Sequence, residues 1–153
     1  VLSIFLRTTK WIAVLSTVFL MAQGSARAEN WQVITLNVTK IDVARRGQIH
    51  ALVFLQDGFP IHHDKALKSY FAPITSERMT LMVNVPVDVS FAIKVHHDED
   101  SNNKVTKNWT GIFPAEGLGF SAGAKMMVMP PTFSAAKMSL PDDRVVFVPI
   151  IYP

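Results

Sequence analysis

The chain has 153 residues, 49% hydrophobic and 18% charged, which is about one domain of ordinary globular composition and neither disordered, collagenous nor multi-span membrane in character. It contains no cysteine, and this excludes a disulfide framework, a thiolate zinc finger, an iron–sulfur site and a cysteine nucleophile. A formal net charge of +3 would suit nucleic acid or an acidic membrane only if the positive charges lay together.

They do not. Arg7 and Lys10 precede the apolar run Trp11 to Ala22, and the next residues end in Ala26-Arg27-Ala28, the small-x-small pattern that signal peptidase reads. Residues 1–28 are expected to be a secretory signal peptide and residues 29–153 the mature domain, periplasmic or extracellular. The apolar run falls short of the roughly 20 residues that span a bilayer, and an uncleaved anchor is the alternative. Removing residues 1–28 takes away Arg7, Lys10 and Arg27 and no acid, leaving 12 basic residues against 12 acidic ones. A neutral mature chain in which only Arg45 and Arg46 are adjacent bases offers no phosphate-backbone footprint. The expected partner is a ligand or another envelope protein, with no nucleic acid and no membrane span after signal cleavage.

Along the mature chain apolar residues recur with period two, the signature of half-buried strands. Ile34, Leu36 and Val38 mark the first, and Gln48 to Leu55, apolar on both faces, implies a central or sandwiched strand. His62 to Phe71, between Pro60 and Pro73, is the one helical candidate. Met79, Leu81, Val83 and Val85 share one face of the next strand. Val89, Phe91, Ile93 and Val95 share a face of the one after, opposite Ser90, Ala92, Lys94 and His96, and the short Pro86-Val87-Asp88 link predicts a hairpin between the two. Lys125 to Met129 and Ala135 to Leu140 are further strand candidates. Arg144 to Tyr152 is the last, and Pro149, which has no N–H to give a ladder, sends it to a sheet edge. Six or seven mostly antiparallel strands with one short helix read as an all-β fold, a single Greek-key β-sandwich.

His97 to about Phe133 breaks this economy, since most connections run about four to six residues. Gly111, Gly117, Gly119 and Gly123 lie in it with Trp109, Phe113 and Phe120, so a compact, functional loop is expected. The run from His96-His97-Asp98-Glu99-Asp100 through Ser101-Asn102-Asn103-Lys104 is followed by Gly111-Ile112 and by Pro114-Ala115-Glu116-Gly117-Leu118-Gly119-Phe120-Ser121. These segments resemble the signature of the exported bacterial proteins called DUF2141, and the resemblance extends from about Thr35 to Tyr152. It implies a β-sandwich of uncharacterised function and singles out His97, Gly111, Pro114, Glu116, Gly119, Phe120 and Ser121 as the motif positions of the loop. Ser101 and Asn103 stand where the family has glycines, Asp100 where it has Asn, and Thr106 where it has Asp, while Phe113 is an extra residue before Pro114.

Four chemical readings follow. Asp98, Asp100 and Asn102 alternate as in the first half of a calcium loop, with Thr106 further on but no acid at the twelfth position, where Trp109 sits. Either these oxygens hold a Ca2+ ion weakly or they cap their own backbone amides. Gly119-Phe120-Ser121-Ala122-Gly123 matches a nucleophile elbow, but without the strand–helix context that the elbow requires. His62-His63 and His96-His97 could approach each other and hold a transition metal, with His50 as a further candidate ligand. Neighbouring strand residues point to opposite faces, however, and His96 should share an exposed face with Lys94, so surface histidines are expected. Met126, Met127, Met129 and Met138 suggest a soft copper site or ordinary gap-filling. The functional expectation is a small binding or interaction module; the alternative is an envelope enzyme using His97, Asp98 and Glu116 for acid–base chemistry.

Overall fold

In the computed structural model, which describes residues 30–153, the alternating segments form seven strands in two sheets; the expected signal peptide lies outside the described residues. The strands are β1 (Trp31–Thr39), β2 (Gln48–Phe54), β3 (Lys68–Pro73), β4 (Met79–Pro86), β5 (Ala92–Asp98), β6 (Gly117–Phe120) and β7 (Val145–Pro149), with one four-residue helix, α1 (Phe133–Ala136). One sheet has the order β4-β1-β7 and the other β3-β2-β5-β6. All neighbours are antiparallel except β1 and β7. The expected all-β sandwich is therefore present.

The phase of the alternation is as the sequence implies except at Val89, which lies exposed before β5 begins. Leu81, Val83 and Val85 of β4 and Ile34, Leu36 and Val38 of β1 face Ile49, Ala51 and Val53 of β2 and Phe91, Ile93 and Val95 near and in β5, all in one buried cluster. Met82, the apolar exception in β4, points outward. Pro149 lies on an edge strand, β7, where its missing N–H costs no ladder bond.

Four assignments need correction. The strands flanking Pro86-Val87-Asp88 are not a hairpin: β4 and β5 belong to different sheets and oppose each other across the core, because alternation tells which residues face inward but not which sheet receives them. The helix expected over His62 to Phe71 is a 3₁₀ turn at His63–Lys65 followed by β3, in which Tyr70 packs on the core while its hydroxyl accepts the Asn84 backbone N–H at 2.7 Å. Ala135 to Leu140 holds the end of α1 and a single bridge between Met138 and Phe91, and Lys125 to Met129 is irregular, ending in a bend, rather than strand. The seventh strand is instead β6, inside the long loop.

β6 is possible because of its glycines. A Cβ at Gly117 would strike Tyr152 and Ile150, and one at Gly119 would strike the Pro149 carbonyl and Val148. The chain after β7 crosses directly over this face and pairs with β6 through reciprocal Leu118–Ile151 bonds of 3.0 and 2.9 Å, joining the two sheets at one side.

The outer face of the four-stranded sheet is covered as well. Leu118, Phe120, Ala92 and Ala136 form a second buried cluster against which Phe59, Val105, Met126 and Phe133 pack, so the long loop and the segment before β3 make a third layer. Every residue of β5 is buried in consequence.

Candidate functional site

Strand register builds a row of side chains on that covered outer face. Phe71 of β3 pairs with His50 of β2, His50 with His96 of β5, and His96 with Leu118 of β6. His63 reaches the same place from the 3₁₀ turn. Its ring lies edge-on to His50 at 5.3 Å between centroids and 5.8 Å from His96, while His50 stacks on Phe71 at 4.0 Å. One ring nitrogen from each of His50, His63 and His96 lies within 4.8 Å of the other two. The expectation of surface histidines is thus overturned: His96 is fully buried, as is Lys94 beside it, because the third layer covers the face that alternation alone assigns to solvent. His62 remains exposed and outside this group of rings, on the rim of the cavity described below.

The hydrogen bonds around the three rings are specific. His96 Nε2 donates to Glu116 Oε2 at 2.8 Å, which leaves its Nδ1 as the lone-pair nitrogen, and that atom is buried without a partner. His63 Nδ1 donates to the Asn103 carbonyl at 3.0 Å and its Nε2 accepts from Lys94 Nζ at 2.7 Å. Lys94 Nζ also donates to the Pro60 carbonyl at 2.8 Å. Both nitrogens of His50 are buried and unpaired.

Burial sets the charges. Desolvation, reinforced for His63 and His96 by Lys94 and for His50 by the neighbouring rings, lowers the pKa of His50, of His63 and of His96 to about 4, so all three are neutral near pH 7. Lys94 is lowered by burial to about 7, against the pull of Glu116. Burial raises Glu116, opposed by the N–H groups of Thr106 and Glu99 that it accepts at 2.7 and 2.9 Å. Burial works against the Asp98 carboxylate too, but the Asn103 amide and the Gln48 side chain outweigh it and hold its pKa below the usual value.

Asp98, Asp100, Asn102 and Thr106 do come together. Asp98 accepts the Asn102 and Asn103 amides at 3.1 and 2.9 Å, and Asp100 accepts the Asn102 amide at 3.1 Å and the Thr106 hydroxyl at 2.8 Å. Asn102 Oδ1 accepts the Lys104 amide at 2.7 Å. Ser101 and Asn103, at the positions of the two family glycines, have φ of 56° and 63°, the left-handed conformation that glycine adopts without strain.

The other motif residues make contacts within the fold. His97 points away from His96, accepting from the Tyr152 hydroxyl at 2.6 Å and donating to the Arg46 carbonyl at 2.9 Å. It is His96, not His97, that shares a group with Asp98 and Glu116. Gly111 turns the tip of the loop at φ 72°, and Pro114 pairs with Lys107 at its base. Ser121 is fully buried, its hydroxyl accepting the Ile93 N–H at 2.8 Å and donating to the Ala136 carbonyl at 2.6 Å, which leaves nothing for nucleophilic attack. Met126 and Met129 line the cavity described below, Met127 is exposed and Met138 packs on the sandwich core, so the four methionines are not brought together.

Above the histidines opens a cavity of about 820 Å³, lined in part by His50, His63, Phe71 and Ile112. Sequence reasoning missed Lys94 as a site residue and placed His50 only at the margin. The available signal was a histidine inside a strand apolar on both faces, since such a strand has no solvent side on which to put it.

Fold and site together define a β-sandwich with one sheet roofed by a long loop, and a polar cluster with a cavity beneath that roof. The chain belongs to the DUF2141 family, described as an uncharacterized protein conserved in bacteria, whose model matches residues 36–147. No curated protein and no solved structure matches it. Among the described residues no helix is long and apolar enough to cross a membrane.

Proposed function

We propose that this chain is a small exported binding module whose ligand, a small molecule with an apolar face, lies in the cavity between the four-stranded sheet and its loop roof. The observation that carries the reading is the convergence of Ile61, Phe71, Ile112, Val128 and Met129, each at least half exposed, on that one cavity. Large apolar side chains gathered in a concavity of a few hundred Å³ or more are the usual makings of a small-molecule site, and leaving them to water is unfavourable. Export rests on the Ala26-Arg27-Ala28 pattern and implies a mature N-terminus at Glu29, to be read by sequencing protein from the cell envelope.

Acid–base chemistry by His97, Asp98 and Glu116 finds less support, because His97 faces Tyr152 and both carboxylates are buried and hydrogen-bonded to backbone amides. The 98–106 loop is read as a self-capped turn. Millimolar calcium is expected to leave the melting temperature unchanged while Asp98→Ala lowers it; a calcium-dependent rise that disappears in Asp98→Asn would instead restore a calcium site on Asp98, Asp100, Asn102 and Thr106.

The cavity is tested with an apolar naphthalene-sulfonate dye titrated into the purified protein. Saturable fluorescence enhancement with one site, weakened at least about tenfold in a Phe71→Asp, Ile112→Asp double variant of unchanged melting temperature, supports the reading. Absence of saturable binding, or binding indifferent to the double variant, refutes it.

A further inference from the structure

We infer that His50, His63 and His96 form a binding site for one late first-row divalent transition metal ion of the Zn2+ or Cu2+ kind. The inference deepens the binding-module reading by adding a metal at the wall of the cavity, which His50 and His63 line.

Three observations carry it. One ring nitrogen from each residue lies within 4.8 Å of the others, and three neutral imidazoles are a donor set suited to zinc, copper or nickel and not to calcium or magnesium. One nitrogen of each of two rings is already fixed, His96 Nε2 by the Glu116 carboxylate and His63 Nδ1 by the Asn103 carbonyl; this is the outer support that metal-binding histidines use to set their tautomer and ring orientation, and it leaves the other nitrogen of each ring as the lone-pair donor. Other ring nitrogens are left unsatisfied: both nitrogens of His50, which is 2% exposed, and Nδ1 of His96, which is fully buried, have no hydrogen-bond partner.

That last point distinguishes a site from a packing accident. A buried polar atom with no partner costs about 1–3 kcal/mol, and a phenylalanine at position 50 would keep the stack on Phe71 without that cost. An ion placed among the rings takes up the unpartnered lone pair of His50 and that of His96, the other His50 nitrogen carrying the proton. At His63 the Lys94 amine is the partner: its Nζ lies 2.7 Å from Nε2, and on metal binding it gives up this contact while its bond to the Pro60 carbonyl remains available. Ligands about 2.0–2.1 Å from a tetrahedral ion lie about 3.3 Å apart, so the rings must close in; His63, carried on a three-residue turn and not on a strand, is the one placed to move.

The test uses metal-depleted purified protein titrated separately with Zn2+, Cu2+ and Ca2+ by calorimetry, with Co2+ as a spectroscopic probe. One equivalent of Zn2+ or Cu2+ should bind with a dissociation constant at or below the micromolar range and raise the melting temperature, and Co2+ should give intense visible bands. His50→Phe should fold and bind at least 100-fold more weakly, His63→Phe should do the same, and His62→Ala should match the wild type. If His50→Phe fails to fold, His63→Phe carries the comparison. No saturable Zn2+ or Cu2+ binding, affinity unchanged in the His63 variant, or equal loss in His62→Ala overturns the proposal. With the dye titration of the cavity also run on metal-depleted protein, failure of the metal site and failure of the apolar cavity are separate results.

Discussion

Glu116 is the knot of the loop roof, and replacing it by alanine measures how firmly the third layer is tied to the sheet. Its two oxygens accept the Glu99 and Thr106 amides at 2.9 and 2.7 Å and the His96 ring at 2.8 Å, with the carboxylate only 3% exposed. Glu116→Ala leaves three donors behind. The His96 N–H is fully buried and loses its only partner, a cost of about 2–3 kcal/mol, while the two amides lie where water can reach them in part and cost about 1 kcal/mol each. Removing a carboxylate that burial disfavours returns some of this, so a net loss of about 3–4 kcal/mol is expected. Glu116→Gln keeps one acceptor oxygen but opposes an amide donor to another donor, and should lose about 1–2 kcal/mol. In urea unfolding the alanine variant should shift its midpoint down by about 2 M with an unchanged slope, and exchange of the amides of Glu99 and Thr106 should accelerate. A loss under about 1 kcal/mol, or a glutamine variant worse than alanine, would show that the roof is held elsewhere.

Phe91, fully buried in the sandwich core, should cost about 3–5 kcal/mol when cut to alanine, read from denaturant unfolding; a near-neutral result would mean that the core lies on the opposite strand face. Ser101→Gly should raise stability by about 0.5–1 kcal/mol because Ser101 is held at φ 56°, and a decrease would refute the strain. Lys94 bears on pH. Its folded pKa of about 7 lies below the ordinary 10.5, so the unfolded chain binds more protons between these values and stability rises with pH across that window, the penalty being fully present below pH 7. Lys94→Met should therefore melt higher than wild type at pH 6, by about 2–3 kcal/mol after loss of its hydrogen bonds, and by less at pH 9.5; an equal difference at both pH values would contradict a buried, perturbed amine.

Period-two alternation is a local property of the chain, and it was enough to choose the inward residues of β1, β4 and β5, because a strand presents alternate side chains to opposite faces whatever it pairs with. Pro149 likewise carried its edge position in its own chemistry. The order of motifs from His97 to Ser121 was sufficient to place the chain in its family. What pairing decides was not legible there. Whether β4 and β5 lie side by side or across the core depends on the route of the link between them. The short Gly117–Phe120 strand becomes one only when the chain after β7 passes close enough to exclude any Cβ at Gly117 and Gly119. The outer face of β5 reads as solvent-facing until the long loop folds back over it, and only then do Lys94 and His96 become buried. His50 and His96, far apart in sequence, meet solely through the β2–β5 register, and His63 joins them from a turn that resembled a helix start. The candidate site is a product of long-range register and of the covering layer, and neither is encoded in the spacing of any one segment.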